Sequence, residues 1–111
     1  MLDAFICDAV RTPIGRFGGS LASLRPDDMA AHVIAGLMTR HPSLDPHAID
    51  EVLFGCANQA GEDNRNVARM ASLLAGLPVE VPASTINRLC ASGMDSVVLA
   101  GRGIGVGDYQ L

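Results

Sequence analysis

Two patterns of apolar residues occupy the first third of the chain. Residues 4–10 (AFICDAV) form a mostly apolar run without strict alternation, which predicts a strand covered on both faces. Met29, Val33 and Leu37 then recur at helical spacing behind Pro26, and the two aspartates after the proline suit a first helical turn. A buried strand followed by an amphipathic helix is therefore expected.

The same order of strand and helix repeats twice. Residues 52–57 predict a second strand and residues 67–74 a second helix, and residues 81–87 predict a third strand that runs into a third helix starting near Cys90. This alternation predicts an α/β protein, a layered fold of βαβαβα order with a mostly parallel sheet. Residues 108–111 resemble the start of a fourth strand, so we expect that the chain is truncated there.

The composition limits the size of the protein and the kinds of partner it can have. Its 111 residues and 11.6 kDa correspond to one domain, residues 1–111. The eight cationic side chains are all arginine, against twelve carboxylates, and the formal net charge of -4 leaves no basic surface for nucleic acid. The absence of lysine excludes a phosphate-loop lysine and a Schiff-base amine.

The chain is richer in apolar residues than an ordinary small domain. Hydrophobic residues make up 49% and charged residues only 18% of the sequence, whereas charged residues usually contribute about 25%. A domain of this size buries about two thirds of its unfolded surface. We therefore expect that another surface covers one face, either in an oligomer or in a larger protein.

No membrane partner, export signal or metal site is predicted. The longest apolar candidate, residues 29–38, is shorter than the roughly 18 residues that a membrane helix needs, and the N-terminus lacks a basic or arginine-rich leader. A cytoplasmic protein is the default expectation. The three cysteines, Cys7, Cys56 and Cys90, form no C-x-x-C pair, so neither a disulfide framework nor a zinc site is supported.

Two glycine clusters are candidate sites for an anionic ligand. Residues 101–107 have glycine at every second position, which resembles the start of the dinucleotide motif G-x-G-x-x-G, but Val106 stands where the third glycine is needed and the run ends a helix instead of opening one. We therefore expect no nucleotide cofactor. Residues 15–19, flanked by Arg11 and containing Arg16, could approach an anionic ligand, although a tight surface turn is favoured.

Cys90 is the candidate catalytic residue. It lies where a predicted strand ends and a helix begins, at the end of the helix dipole that favours a thiolate over a thiol. Ser92 and Gly93 keep the first turn small, and free backbone amides at a helix start can bind a developing oxyanion. The arrangement resembles a nucleophile elbow. The alternative is that Cys90 only packs, as unpaired cysteines usually do, and this is the interpretation adopted for Cys7 and Cys56.

None of the three histidines is close to Cys90 in the chain. His32 is predicted on the packed first helix, and His41 and His47 in a surface loop. A cysteine nucleophile needs a base, so we expect the partner of Cys90 to lie beyond Leu111.

Several segments resemble the thiolases, the acyl-CoA acetyltransferases. Residues 87–94 (NRLCASGM) resemble the nucleophile motif of that family, residues 11–19 (RTPIGRFGG) its N-terminal signature, and residues 61–69 its loop leading into the second helix. Residues 55–69 and 78–82 are most similar to the β-ketoadipyl-CoA thiolases of aromatic degradation. The resemblance covers the whole chain.

The resemblance implies a thiolase-like fold and the first part of an N-terminal thiolase domain without the C-terminal domain. It implies an acetyl-CoA C-acyltransferase that cleaves or forms a 3-oxoacyl-CoA by Claisen chemistry, here 3-oxoadipyl-CoA to succinyl-CoA plus acetyl-CoA. Cys90 would carry the acyl-thioester, and its backbone N–H would help to bind the oxyanion. Acyl-CoA and coenzyme A would be substrates, no resident cofactor or metal is implied, and the family assembles as dimers or tetramers.

Thiolases also use an N-E-A-F-type segment, a G-H-P histidine that activates the nucleophile and a second cysteine in C-x-G. None of the three occurs in these 111 residues, nor does the loop that holds the pantetheine. The chain alone is therefore expected to be inactive. An acetoacetyl-CoA thiolase, a related condensing enzyme that elongates an acyl chain, and a non-enzymatic α/β interaction module are the alternatives.

Overall fold

The computed structural model describes all residues, 1–111, and contains three α-helices and two strands. The bounds are α1 Pro26–Arg40, β1 Val52–Gly55, α2 Val67–Leu74, β2 Ala83–Ile86 and α3 Ser92–Val106. One short 3₁₀ turn, Pro46–Ala48, which the sequence pattern did not predict, lies between α1 and β1. The first two predicted helices are confirmed, and both strands are shorter than predicted.

The sheet separates two layers of helices. β1 and β2 pair in parallel along their whole length, starting with Val52 opposite Ala83, and α2 connects them. The side chain of Phe54 packs against the alanine-rich contact of α1 with α2, whereas Leu53 lines a small cavity beside α3. Because successive side chains of a strand point to opposite faces, α1 and α2 cover one face and α3 the other. The predicted α/β layered class is confirmed.

The start of α1 follows from a proline and an acidic first turn. Pro26 occupies the first helical position, where its missing N–H costs nothing. The side chain of Asp27 is nearly buried and accepts hydrogen bonds from Arg25 Nε at 3.0 Å and Nη2 at 2.9 Å. The Arg25 guanidinium holds the pKa of Asp27 below its usual value. This ion pair fixes the entry into α1.

The predicted first strand is wrong. Residues 4–10 form no strand, and all but the last of them are exposed. An apolar run becomes a buried strand only where its backbone can form hydrogen bonds with a neighbouring strand. Here the N-terminal residues bind the two helices α1 and α3 instead. The N–H of Leu2 donates to the carbonyl of Gly105 at 2.9 Å, and Asp8 binds the end of α1. Cys7 is consequently exposed, so the prediction that it packs in an apolar strand is also wrong.

The glycine-rich segment, residues 101–107, forms the last turns of α3 and its C-terminal cap. The helix ends at Val106, and Gly107 (φ 85°) caps it in the left-handed conformation that glycine adopts most readily. The ring of Tyr109 folds back onto Gly103, where a Cβ would overlap it. The fourth strand expected after α3 is absent, since the Asp50 carboxylate and N–H bind the backbone of the last two residues instead.

None of the three helices is both long enough and apolar enough to span a membrane.

Candidate active site

The candidate active site is the segment that joins β2 to α3, residues 87–91, here called the Cys90 loop. The N–H of Cys56, just after β1, donates to the carbonyl of Ile86 at 2.9 Å, which extends the parallel ladder to the end of β2. The carboxyl ends of both strands therefore lie beside the Cys90 loop. In open α/β sheets, ligands bind at this end of the strands.

Asn87 begins the Cys90 loop and forms hydrogen bonds in two directions. Its Nδ2 donates to the carbonyl of Ala57 at 3.1 Å, in the segment that follows β1. Its Oδ1 accepts from the N–H of Leu89 at 3.0 Å, which forms a short Asx turn. The side chain of Asn87 thus connects the segments that follow the two strands.

Ser92, the first residue of α3, closes the other end of the Cys90 loop. Its side chain is buried, and its Oγ accepts from the N–H of Arg88 at 2.8 Å and donates to the carbonyl of Leu89 at 2.6 Å. Leu89 has φ 50°, a left-handed conformation that costs a non-glycine residue about 1–3 kcal/mol. The Ser92 hydroxyl therefore stabilises a strained turn directly before Cys90.

Cys90 itself is accessible and without hydrogen bonds. Its side chain is exposed, and neither its Sγ nor its N–H has a hydrogen-bond partner in the chain. The N–H groups of Gly93 and Met94, in the first turn of α3, also have none. Such amides carry the partial positive charge of a helix N-terminus. An oxygen anion formed beside Cys90 can therefore receive backbone hydrogen bonds.

Gly55, the last residue of β1, brings the sheet into contact with the start of α3. A Cβ at this position would overlap the peptide group between Ser92 and Gly93. Only glycine leaves the space for this approach. The height of the first turn of α3 above the sheet is therefore set by Gly55.

An ion pair neutralises the acidic residue in the first turn of α3. Asp95 lies in the first turn of α3, where a carboxylate favours the helix dipole. Its Oδ2 is 2.9 Å from Nε of Arg88. The arginine offsets a charge that would otherwise repel an anionic sulfur at Cys90. The helix therefore retains its acidic first turn without making the site negative.

Asp63 organises the segment after β1, residues 56–64, here called the Asp63 loop. Its nearly buried carboxylate accepts from the N–H groups of Gly61 and Gln59, both at 3.0 Å, and from the thiol of Cys56 at 3.3 Å. These donors, the N–H of Gly61 foremost, hold the pKa of Asp63 below its usual value. Cys56 is half-buried and lies directly after β1, not inside the strand as predicted, and its thiol serves as a hydrogen-bond donor.

The three histidines lie away from the Cys90 loop. His41 and His47 are exposed, as predicted, and His32 lies on α1 with its side chain exposed. Nε2 of His41 is 2.8 Å from Oδ2 of Asp8. No histidine side chain forms a hydrogen bond with a residue of the Cys90 loop.

The N-terminal glycine cluster forms a tight surface turn, which is the interpretation that the sequence favoured. Gly18 has φ 66°, and the N–H of Gly19 donates to the carbonyl of Arg16 at 3.0 Å. The side chains of Arg11 and Arg16 are exposed.

In the structure no group of three or more His, Cys, Asp or Glu residues could hold a metal ion.

The sequence predicts Cys90 as a candidate nucleophile but does not indicate the residues that hold its loop. Asparagine side chains often accept from the backbone N–H two residues further on. The bond of Asn87 to Leu89 could therefore have been predicted from the local sequence. Its second partner, Ala57, is 30 residues away. No local pattern identifies a partner at that distance, and the same holds for the contact of Gly55 with α3.

The fold and the site together define a class of protein. An exposed cysteine lies between a strand of a parallel sheet and the N-terminus of the following helix, an arrangement of α/β proteins that resembles a nucleophile elbow. Residues 4–111 match the model of the thiolase N-terminal domain. The chain belongs to the thiolase family.

The curated relatives define the resemblance more closely. The chain is 64% identical over 98% of its length to the β-ketoadipyl-CoA thiolase of Pseudomonas aeruginosa, and 61% identical over its whole length to the 3-oxoadipyl-CoA/3-oxo-5,6-dehydrosuberyl-CoA thiolase of Escherichia coli. It is 45% identical to a 3-ketoacyl-CoA thiolase of Aeromonas salmonicida. The similarity to the β-ketoadipyl-CoA thiolases is thereby confirmed. The chain spans only 27% to 29% of the length of these relatives.

Proposed function

We propose that this chain supplies the nucleophile of a thiolase, with Cys90 as the residue that carries the acyl group. The observation that supports the proposal is the state of Cys90, which is exposed, follows a strained turn and has an unbonded N–H. The sulfur is therefore open to an incoming thioester, and the amide is free to bind the oxygen that becomes anionic during attack.

In the proposed cleavage, the Cys90 thiolate attacks the 3-oxo carbon of a 3-oxoacyl-CoA. The bond between carbons 2 and 3 breaks, the acyl group stays on sulfur as a thioester, and the released enolate takes up a proton to give acetyl-CoA. The thiol of coenzyme A then attacks the thioester, accepts the acyl group and gives up its proton, which restores Cys90. The N–H of Cys90 stabilises the oxyanion of both tetrahedral intermediates.

The names of the relatives suggest the substrate. Two of them are thiolases of β-ketoadipyl-CoA or 3-oxoadipyl-CoA, so the proposed reaction converts 3-oxoadipyl-CoA and coenzyme A to succinyl-CoA and acetyl-CoA. Acyl-CoA and coenzyme A are then the small-molecule partners.

We also propose that these residues are the first part of an N-terminal domain, that the groups which activate Cys90 and protonate the enolate lie outside them, and that the chain alone is inactive. A homodimer or homotetramer in the cytoplasm is part of the same proposal. Exposed apolar side chains on α3, among them Met94, Val97 and Val98, support the covering of this face in a larger assembly.

The proposal can be tested in a chimera in which this chain replaces the matching 109 residues of the Pseudomonas aeruginosa thiolase. We expect the chimera to cleave 3-oxoadipyl-CoA faster than acetoacetyl-CoA, and peptide mapping after incubation with acetyl-CoA to place an acetyl group on Cys90. Cys90→Ser should abolish both, because an alcohol is a far weaker nucleophile than a thiolate at neutral pH.

Cys7→Ser is the matched control, because Cys7 is also exposed but distant from Cys90 in the chain. It should retain full thiolysis and full labelling. A label on another residue, or thiolysis that survives Cys90→Ser, would contradict the proposal. A chimera that elongates acyl chains with loss of carbon dioxide would instead favour a condensing enzyme.

A further inference from the structure

We propose that Asn87 is a positioning residue, whose carboxamide fixes the Cys90 loop to the segment after β1 and so holds Cys90 in the geometry that acyl transfer needs. This inference rests on the proposed function of Cys90. Asn87 does not contact the reacting atoms in the structure. It acts through the backbone of the loop that carries them.

Most of the hydrogen bonds that hold the Cys90 loop lie within the loop and the first turn of α3. Ser92 and Arg88 bind groups within the loop or within the first turn of α3, and the N–H of Ala91 donates to the carbonyl of Arg88 at 3.1 Å. These bonds fix the loop on the helix only. The bond from Asn87 Nδ2 to the carbonyl of Ala57 is the single hydrogen bond that connects residues 87–91 with any residue outside 87–95.

The carboxamide of Asn87 also holds Leu89 in a strained conformation. Leu89 has φ 50° and makes its N–H bond to Asn87 Oδ1 at 3.0 Å. A left-handed non-glycine residue relaxes towards other conformations when its restraints are removed. Because Cys90 follows directly, relaxation at Leu89 would rotate the N–H of Cys90 and displace its Sγ.

Asn87 is an exposed residue, so its replacement opens no cavity in the core. A substitution should therefore change the geometry of the loop more than the stability of the fold. Displacement of a reacting group by about 1 Å can cost about 100-fold in rate, which makes a small movement of the loop measurable.

The experiment uses the chimera described above, with Asn87→Ala and, as the matched control, Asn58→Ala. Asn58 is an exposed asparagine whose side chain makes no hydrogen bond. We expect Asn87→Ala to lower kcat, expressed per mole of titrated Cys90 thiol, by about 10- to 100-fold, because the reacting group is displaced. KM for 3-oxoadipyl-CoA should change by less than about twofold, because ground-state binding is retained. Asn58→Ala should leave both constants unchanged.

Two further measurements separate positioning from a structural role. Alkylation of Cys90 by iodoacetamide, a small reagent that needs no fixed approach, should proceed in Asn87→Ala at the rate of the unsubstituted chimera, and the thermal unfolding midpoint should be unchanged. A fall in kcat that is matched by a fall in the folded fraction would overturn the inference. So would a kcat equal to that of Asn58→Ala.

A second variant keeps the test decisive if Asn87→Ala does not fold. The hydroxyl of Asn87→Ser can accept from the N–H of Leu89 but is too short to reach Ala57. We expect it to lose activity as Asn87→Ala does, and full activity in this variant would show that the link between the segments is dispensable. Thiolysis that persists after Cys90→Ser would refute the proposed function instead, independently of the results at Asn87.

Discussion

At Gly55, the absence of a side chain determines how closely α3 approaches the sheet. The residue was placed in an apolar strand from the sequence, and nothing in its neighbourhood along the chain indicates that the Ser92–Gly93 peptide lies against it. Cys90 was identified because its chemistry and its position at a strand–helix junction are both visible locally. The contact of Gly55 with α3 and the hydrogen bond of Asn87 to Ala57 join distant segments and so could not be predicted.

Replacement of Gly55 by alanine should disturb this contact. We expect Gly55→Ala to lower the free energy of unfolding by about 1–3 kcal/mol, because the added methyl group forces the strand and the helix apart. Urea denaturation followed by circular dichroism measures the change. Gly36→Ala is the control, because a Cβ at Gly36, inside α1, meets nothing within 4 Å. It should stabilise the chain by up to about 1 kcal/mol, and equal stability of the two variants would contradict the prediction.

Among the elements, those specified by local signals were predicted best. Pro26 and its aspartates begin α1, and the apolar spacing in α2 is confirmed over Val67–Leu74. The prediction of a first strand was wrong because a strand needs a neighbouring strand to pair with. The apolar pattern of residues 4–10 does not indicate whether such a neighbour is present. The glycines near the end of α3 predicted a helix end, which is confirmed at Gly107, and Gly103 and Gly105 lie buried in the last turns because other side chains pack against them.

The N-terminus of α2 illustrates an element held by another element. Asn66 has φ 64°, its Oδ1 accepts from the N–H of Arg69 at 3.3 Å and from Thr85 Oγ1 at 2.8 Å, and its Nδ2 donates to the carbonyl of Ala83 at 2.8 Å. Asparagine is among the few residues that tolerate this conformation. One side chain therefore caps the helix and ties it to β2.

Asn66→Ala should cost about 1–2 kcal/mol in the free energy of unfolding, because the cap is lost and alanine is strained in the left-handed region. Asn66→Gly removes the same hydrogen bonds without the strain, so it should be the more stable of the two variants. Urea denaturation of both measures the difference. If alanine were tolerated as well as glycine, the conformation of Asn66 would have no energetic role.

The whole molecule is a thin layered unit with much apolar surface on the outside. Seven hydrophobic residues are buried, all of them alanine, valine or leucine, while large side chains such as Leu74, Val79 and Met94 are more than half exposed. This distribution agrees with the expectation from composition that another surface covers part of the chain. Composition cannot indicate which face is left open, because that depends on how the layers stack.

Acid should destabilise the molecule through three carboxyl groups. The pKa of Asp8 is lowered by its hydrogen bond with His41, that of Asp27 by Arg25, and that of Asp63 by the N–H of Gly61. A lowered pKa in the folded state adds stability above the unfolded-state value of about 3.9, and this stability is lost as the pH falls through the lowered values. We therefore expect the urea midpoint to be lower at pH 3 than at pH 6.

Asp63→Asn tests the contribution of one of these groups to the acid dependence. The variant cannot ionise at this position, so its midpoint should change less between pH 6 and pH 3 than that of the unsubstituted chain. An identical change in both proteins would exclude Asp63 from the acid response.

The ring of Tyr109 on Gly103 has a practical consequence. The chain contains one tyrosine and no tryptophan, so its ultraviolet emission arises almost entirely from a single phenol seated on the last turns of α3. Detachment of that ring from the helix would alter its emission intensity without any attached dye. The protein thus contains an intrinsic optical probe at the end of α3 opposite to Cys90.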